Sequence, residues 1–468
     1  MLGYGSQALA LKYLGVNFEH WKICEWAVKS IQAYKDIHYD NVNIDYSKKF
    51  GKEYLISYLF DKHISMDYNK PMTKEQIARL SEQQLRTIYN NIQTEKNTVD
   101  IQQTSAEDLE IIDTYKYDYI LTYSFPCQDL SLAGKRKGMS DTSTRSGMLW
   151  EVERILNECK ELGNLPQILL MENVPQVHSK ENIEDFRKWQ FALEKLGYQS
   201  YWQDLIATDY GIPQTRNRCF MISILGNYNY TFPKPIELKL KLKDLLEDEV
   251  DEKYYLSDKM INCLMKEDTK GFNRKERFLQ NLDTTNNKGV ALTLCTTGET
   301  RATDNFIKIK NATKQGYLEA TEGDGIDISS RMEHHRGNVQ KDKIQTITTS
   351  GGNDREVVIN RFYKQAFETL NNNKVKDGDI IDAYNKKVLT DGNSPTITTR
   401  PEGFKTAILP VQDLRIRKLT PKECFRLMGV KDEDYDKCAK NQSDSSLYHL
   451  AGDSIVVNVL MAIFKELL

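Results

Sequence analysis

The sequence predicts an α/β protein carrying a smaller β-rich unit, and three observations predict it. From the start to about Leu225, apolar runs alternate with helix-spaced patterns, as strand–helix–strand units do. After Pro233 that rhythm stops, and residues 234–410 become richer in charge, Asn, Gly and Thr. Within the first region, Cys127 directly follows Pro126 where an apolar run ends, the place where open α/β sheets put their chemistry.

Taken in order, Ser6 to Leu14 has helical spacing and stops at Gly15, a predicted C-cap. Residues 41–98 are polar and charged with a helical pattern from Thr73 to Asn91, and read as an insertion, a peripheral helical pair in preference to a substrate-recognition element. Tyr119-Ile120-Leu121-Thr122-Tyr123 reads as a buried strand. Pro126 then fixes φ, holding Cys127 rigidly, and the basic loop Lys135-Arg136-Lys137-Gly138 suits a lid over an anionic substrate. A buried structural cysteine fits that segment equally well. In the later interval a phrase recurs, at 293–297, 346–349 and 396–399, each time alternating like a strand and leading into Gly or Arg. Its hydroxyls either face solvent or, with Arg400 and Arg301, meet phosphates and base edges. From Leu419 to Met428 a helix is expected, with Thr420 as N-cap, Pro421 at its first position and Glu423 closing a capping box. Ser454 to Leu468 reads as an apolar helix.

The 468 residues suffice for two or three domains and a large core. A net charge of −3 does not announce a nucleic-acid binder, so any such contact is local, as in Lys135-Arg136-Lys137 and Arg415-Ile416-Arg417-Lys418. The eight cysteines show no Cys-x-x-Cys and no His at metal spacing, so no metal is expected and a reducing cytoplasm suits them. No apolar run approaches ~18 residues and the start lacks signal-peptide shape, so no membrane association is expected.

Five short motifs stand in one order: Pro126-Cys127, Glu172-Asn173-Val174 after an apolar run, Gln214-Thr215-Arg216-Asn217-Arg218, Arg417-Lys418-Leu419-Thr420-Pro421-Lys422-Glu423, and Gly452-Asp453-Ser454-Ile455. Together they resemble the signatures of the DNA (cytosine-5) methyltransferases of bacterial and phage type, across almost the whole chain. The resemblance implies a Rossmann-like, S-adenosylmethionine-dependent catalytic domain over 1–233 (with 41–98 inserted) and a β-rich target-recognition domain over 234–410. It further implies a joining region at 411–450 and a C-terminal helix, 451–468, returning to the catalytic domain.

By the same resemblance, Cys127 adds to C6 of a flipped-out cytosine in a specific duplex sequence. Glu172 bonds N3 and N4 of the base, while Arg218 and, less firmly matched, Arg216 hold O2, clamp a phosphate or support the thiolate. S-adenosylmethionine, leaving as S-adenosylhomocysteine, would meet Gly3, Gly5, Glu25, Trp26, Asp100, Ile101, Ser124, Phe125, Pro126, Met148, Ser454 and Ile455. Asp108-Leu109 competes with Asp100-Ile101. Lys135, Arg136, Lys137 and Arg400 are the candidate DNA contacts. A monomer and a cognate restriction endonuclease are the expected organisation and partner.

Two departures stand out. The family's glycine-rich loop follows a strand ending in Asp/Glu-x-Phe-Ala-Gly. This sequence opens at Met1-Leu2-Gly3-Tyr4-Gly5, which leads to an expectation of weakened donor binding. Asp453 stands where the family has Asn, and an ionised carboxylate cannot donate. The alternatives are the tRNA-methylating branch, against which the long 234–410 interval argues, and a DNA-binding relative with an impaired cofactor site. An oxidoreductase lacks a full dinucleotide fingerprint here.

Overall fold

The computed structural model describes residues 3–125, 148–254 and 417–468, with short strands at 306–310, 325–327, 338–340, 380–382, 387–389, 407–408 and 414–416. Pro126, Cys127, Lys135, Arg136, Lys137, Arg301, Arg400 and the three Thr-rich phrases lie outside the described residues.

Helix α1 (Ser6–Leu14) starts at Gly5 and ends at Gly15, both left-handed; the Gly15 and Val16 amides return to Leu11 and Lys12 carbonyls, the predicted C-cap. Helix α2 (Val28–His38) leads into the segment read as an insertion, which holds α3 (Lys52–Asp61), α4 (Lys74–Ala78) and α5 (Glu82–Thr94). The single helical pattern expected from Thr73 to Asn91 is two helices. Thr73 with Gln76 and Ser81 with Gln84 each close a capping box, so a second start signal interrupts the first run. These helices are not a peripheral pair in packing: Leu55, Leu59, Ile64, Ile77, Leu85, Ile88 and Ile92 share one apolar cluster with Val28 and Ile31 of α2.

The short helix α6 (Ala106–Leu109) precedes a four-stranded sheet. Strand β1 (Ile120–Ser124) connects through α7 (Leu149–Glu161) to a parallel neighbour, β2 (Ile168–Asn173). After α8 (Ile183–Leu196), Gly197 at φ +102° turns the chain at once into β3 (Tyr198–Ile206), which pairs antiparallel with β4 (Asn217–Leu225). Strand β4 also pairs antiparallel with β2, giving the order β1-β2-β4-β3. Strand β2 is therefore central, with Leu169, Leu170 and Met171 buried. Strand β1, expected to be buried, is half-buried along its length because it lies at the edge of the described sheet. One sheet face packs Leu169, Met171, Cys219 and Met221 against Leu156 of α7 and Phe186, Trp189 and Leu193 of α8.

The chain's last segment packs on its first. The terminal helix runs from Val457 to Lys465, shorter than expected because Ser454 is extended and Val456 is the N-cap, and it lies against α1. With the preceding helix it makes Asp444–Lys465 long and apolar enough to cross a membrane, a stretch the sequence reading did not assign. Two-thirds of its apolar window (67%) is buried inside the protein, as in a core helix.

The chain divides into two compact units, Met1–Ile307 with Lys418–Leu468, and Lys308–Arg417. In the second, every described element is a strand: Ile380–Asp382 pairs antiparallel with Lys387–Leu389 and with Ala407–Ile408, and Gly325–Asp327 with Asn338–Gln340. Arg417, expected as part of a surface basic cluster, is buried. Residues 234–254 belong to the first unit, where Leu242 is buried and the Leu245 carbonyl accepts from Arg426.

Candidate active site

Register places the site's first group. Ser124 at the end of β1 lies opposite Glu172 of β2, and Glu172 opposite Phe220 of β4. Arg218, two residues from Phe220, projects to the same face. Arg218 Nε sits 3.1 Å from Glu172 Oε1, with the two side chains only 19% and 12% exposed, so the pair is held away from bulk water without being sealed from a ligand. Beyond Glu172, Asn173 turns to the opposite face. Its Nδ2 donates to the Phe125 carbonyl at 3.1 Å while its Oδ1 accepts from Val174 N at 2.8 Å. The residue before Pro126 is thereby tied to the strand that carries Glu172.

The Gln-x-Arg-x-Arg segment connects distant parts of the chain. Gln214, fully buried, donates to the Leu427 carbonyl at 2.7 Å. Arg216, also buried, donates from Nη2 to the Ser454 carbonyl at 2.8 Å. Burial, then the charge of Arg218, pushes the Arg216 pKa down to about 10 against the pull of Glu172 and Asp453. Burial likewise raises the Asp453 carboxyl, opposed by Arg216.

The residues assigned to the methyl donor fall into two neighbourhoods. At the start of α1, Gly3 (φ +58°) lies so close to Ser454 that an added Cβ would come within 2.2 Å of its Oγ. Ile455 N donates to Ser6 Oγ at 3.3 Å, and the Tyr4 hydroxyl lies beside Ser6 and Ser454. Ser454 Oγ and Gln7 Oε1 are buried with no hydrogen-bond partner among the described residues, and α1 has no side-chain cap and no acid in its first turn. Unmatched polar atoms around an uncapped helix start fit an amino-acid-like polar group. In the second neighbourhood, Glu25 is buried, its Oε1 accepts from Ala27 N at 2.9 Å, and Asn97 bonds its backbone on both sides, beside the bridge between Ile23 and Asn97. Trp26 packs against the cluster of α2 to α5, and Ile101 against the sheet core. Asp100 is engaged by His63 at 2.7 Å and caps Gln102 N, while Asp108 caps Ser105. Phe125 is buried in the core and Met148 is half-buried at the start of α7.

Tyr68 and His449 were not legible in the sequence. Their rings stack at 3.7 Å and 12°, Glu25 bears electrostatically on both, and Asp453 bears on Tyr68. Tyr68 comes from the segment between α3 and α4 and His449 from the last part of the chain, so no local pattern pairs them. Asn173 and Gln214 did carry a signal, their places in the motifs.

The family model for C-5 cytosine-specific DNA methylase matches residues 54–468. The type II methyltransferase M2.ScrFI of Lactococcus lactis subsp. cremoris is 30% identical over 99% of this chain and 96% of its own length. The orphan methyltransferase M.SssI of Spiroplasma monobiae is 38% identical over 55% of this chain and 66% of its own. Among solved structures, a Spodoptera frugiperda DNMT2 variant aligns with TM-score 0.53 and 16% identity, covering 100% of this chain and 97% of that one, a likeness of fold. Arrived at from motifs, sheet register and these relatives together, the chain belongs to the C-5 cytosine-specific DNA methylase family and is an S-adenosylmethionine-dependent DNA cytosine-5 methyltransferase.

Proposed function

We propose that this enzyme methylates one short recurring sequence in double-stranded DNA through a covalent bond between Cys127 Sγ and C6 of a flipped-out cytosine. The observation that carries the reading is the Glu172–Arg218 ion pair, facing the strand end from which the chain runs into Pro126 and Cys127. In a duplex C5 and C6 are stacked away from solvent, so the base must leave the helix. Carbon 5 is a weak nucleophile until the Cys127 thiolate adds at C6 and makes the ring an enamine; the electron pair displaced toward N3 would take up a proton from solvent relayed through the Glu172 carboxyl, and once C5 carries the methyl group, loss of the C5 proton to a base would expel the Cys127 thiolate. Arg218, 3.1 Å from Glu172, would orient that carboxylate and bond O2, while Arg216, bonded to the Ser454 carbonyl, would act as a positioning residue. Bound S-adenosylmethionine supplies an electrophilic methyl group on a sulfonium sulfur. Gly3, Gly5, Ser454 and Ile455 would hold its amino-acid end, with Ser124, Phe125, Pro126 and Met148 alongside, and Glu25, Trp26, Asp100 and Ile101 its nucleoside. Lys135, Arg136, Lys137 and Arg400 would meet DNA phosphates or bases, and the 234–410 interval would read the sequence. The enzyme would act as a cytoplasmic monomer beside a cognate restriction endonuclease.

Single-base mapping of 5-methylcytosine in unmethylated genomic DNA, after incubation with the protein and S-adenosylmethionine, tests this reading. Methylation at one recurring motif, lost in Cys127→Ser while DNA binding persists, is the expected result. Turnover in Cys127→Ser would reject the nucleophile.

A further inference from the structure

Behind the sheet face that carries Glu172 and Arg218, a second group of chemically active side chains converges. His178 closes the turn Pro175–His178 after the Glu-Asn-Val motif, and its Nε2 lies 2.9 and 3.1 Å from the two carboxylate oxygens of Asp204 on β3. Asp204 sits opposite Cys219 of β4 in register, so the thiol and the carboxylate share one face. One imidazole nitrogen, one carboxylate oxygen and the Cys219 sulfur all lie within 4.8 Å of one another. Cys219 is fully buried, whereas the His178 and Asp204 side chains are 22% and 31% exposed, which leaves the group a path to solvent. The Trp202 ring lies 4.7 Å from His178 and Phe186 borders both rings, forming an apolar wall.

We propose that His178, Asp204 and Cys219 form a binding site for a divalent cation of the zinc class. Nitrogen, sulfur and one carboxylate oxygen form a donor set that zinc accepts and that magnesium or calcium does not favour. Three protein ligands with one solvent-facing side leave the fourth tetrahedral position to water. Tetrahedral donors bonded at about 2.0–2.3 Å stand roughly 3.3–3.7 Å apart, so on binding the His178–Asp204 contact opens slightly while the Cys219 sulfur draws in. Without a cation, burial and then the Asp204 charge hold the Cys219 thiol protonated. On binding, the Sγ–H proton passes to solvent as the sulfur–metal bond forms, and the dication offsets the two negative ligands. The ion would staple the turn after Glu172 to the two strands beneath it. Because Cys219 adjoins Arg218, it would brace the backbone of the catalytic pair from the opposite side without touching substrate.

Cobalt(II) is the probe, titrated into the full-length protein. Saturation at one equivalent is expected, with the near-ultraviolet thiolate–cobalt band and the visible bands of tetrahedral cobalt, all discharged by added zinc. Cys219→Ser should remove the thiolate band, and His178→Gln should weaken cobalt binding by about tenfold or more. His178 lies on the exposed rim, so His178→Gln decides the matter if Cys219→Ser fails to fold. No thiolate band in the unaltered protein, or the same band at the same affinity in a folded variant, would overturn the site.

Discussion

At 3.1 Å, Glu172 and Arg218 form a partly buried pair in which each charge offsets the other. In the mechanism proposed above, Glu172→Gln keeps the shape of the side chain but cannot relay a proton to the ring. The chemical step should slow by about 10²–10⁴ with DNA affinity retained, measured as single-turnover methylation at saturating DNA; near-normal rates would remove Glu172 from the mechanism. A pH effect belongs to His38, whose Nε2 donates to the Tyr4 carbonyl at 2.9 Å. Burial, then the neighbouring His20, holds its pKa at about 3 against an ordinary value of 6.5. The unfolded chain therefore binds this proton first, so stability is complete above pH 6.5 and falls as pH drops toward 3. Between pH 7 and 5 the contribution lost is about 2 kcal/mol. His38→Gln should lose that much less stability over this interval in urea melts, and equal losses in both proteins would refute the assignment. At this scale the motifs identified Glu172 and Arg218, but nothing in the linear order said that Gln214 would reach Leu427 or Arg216 would reach Ser454. Those partners are set by packing between the two ends of the chain.

The helix Pro421–Arg426 illustrates how much a local signal can determine. Thr420 Oγ1 accepts from Glu423 N at 3.2 Å, Glu423 Oε2 accepts from Thr420 N at 2.8 Å, and Pro421 occupies the first turn, all as the sequence predicts. What it does not predict is that Glu247 bonds both ends of the box, through the Thr420 hydroxyl and from its own amide to Glu423 Oε1. Thr420→Ala should cost about 1–2 kcal/mol, since it removes an N-cap and leaves the Glu247 carboxylate short of a donor. An unchanged urea midpoint would show that the cap adds nothing. The same capping rules divide Thr73–Asn91 at Ser81, where a periodic apolar pattern alone suggested one helix. Strand β1 shows the converse limit. Its apolar run implied burial on both faces, yet a strand's exposure depends on its place in the sheet, which is a non-local property.

Over the whole molecule, one compact unit is assembled from Met1–Ile307 and Lys418–Leu468, and the described elements of the other are all strands. Chemistry and sequence reading should therefore separate. Exchanging residues 234–410 for those of a relative with a different target should change the methylated sequence while cytosine remains the modified base, as read by single-base mapping. An unchanged target would mean that specificity lies elsewhere.

The sequence by itself determined the family, the order of the motifs, the helix caps and the change from α/β to β-rich texture, because each is written in neighbouring residues: a turn, a cap or a Pro-Cys step acts over a few positions. Tertiary structure alone decided that Ser454 meets Gly3, that Tyr68 stacks on His449, and that His178, Asp204 and Cys219 converge behind the Glu172–Arg218 pair. Sheet register and the return of the C-terminal helix onto α1 bring these residues together, and such contacts depend on how packed surfaces fit, which no spacing along the chain encodes.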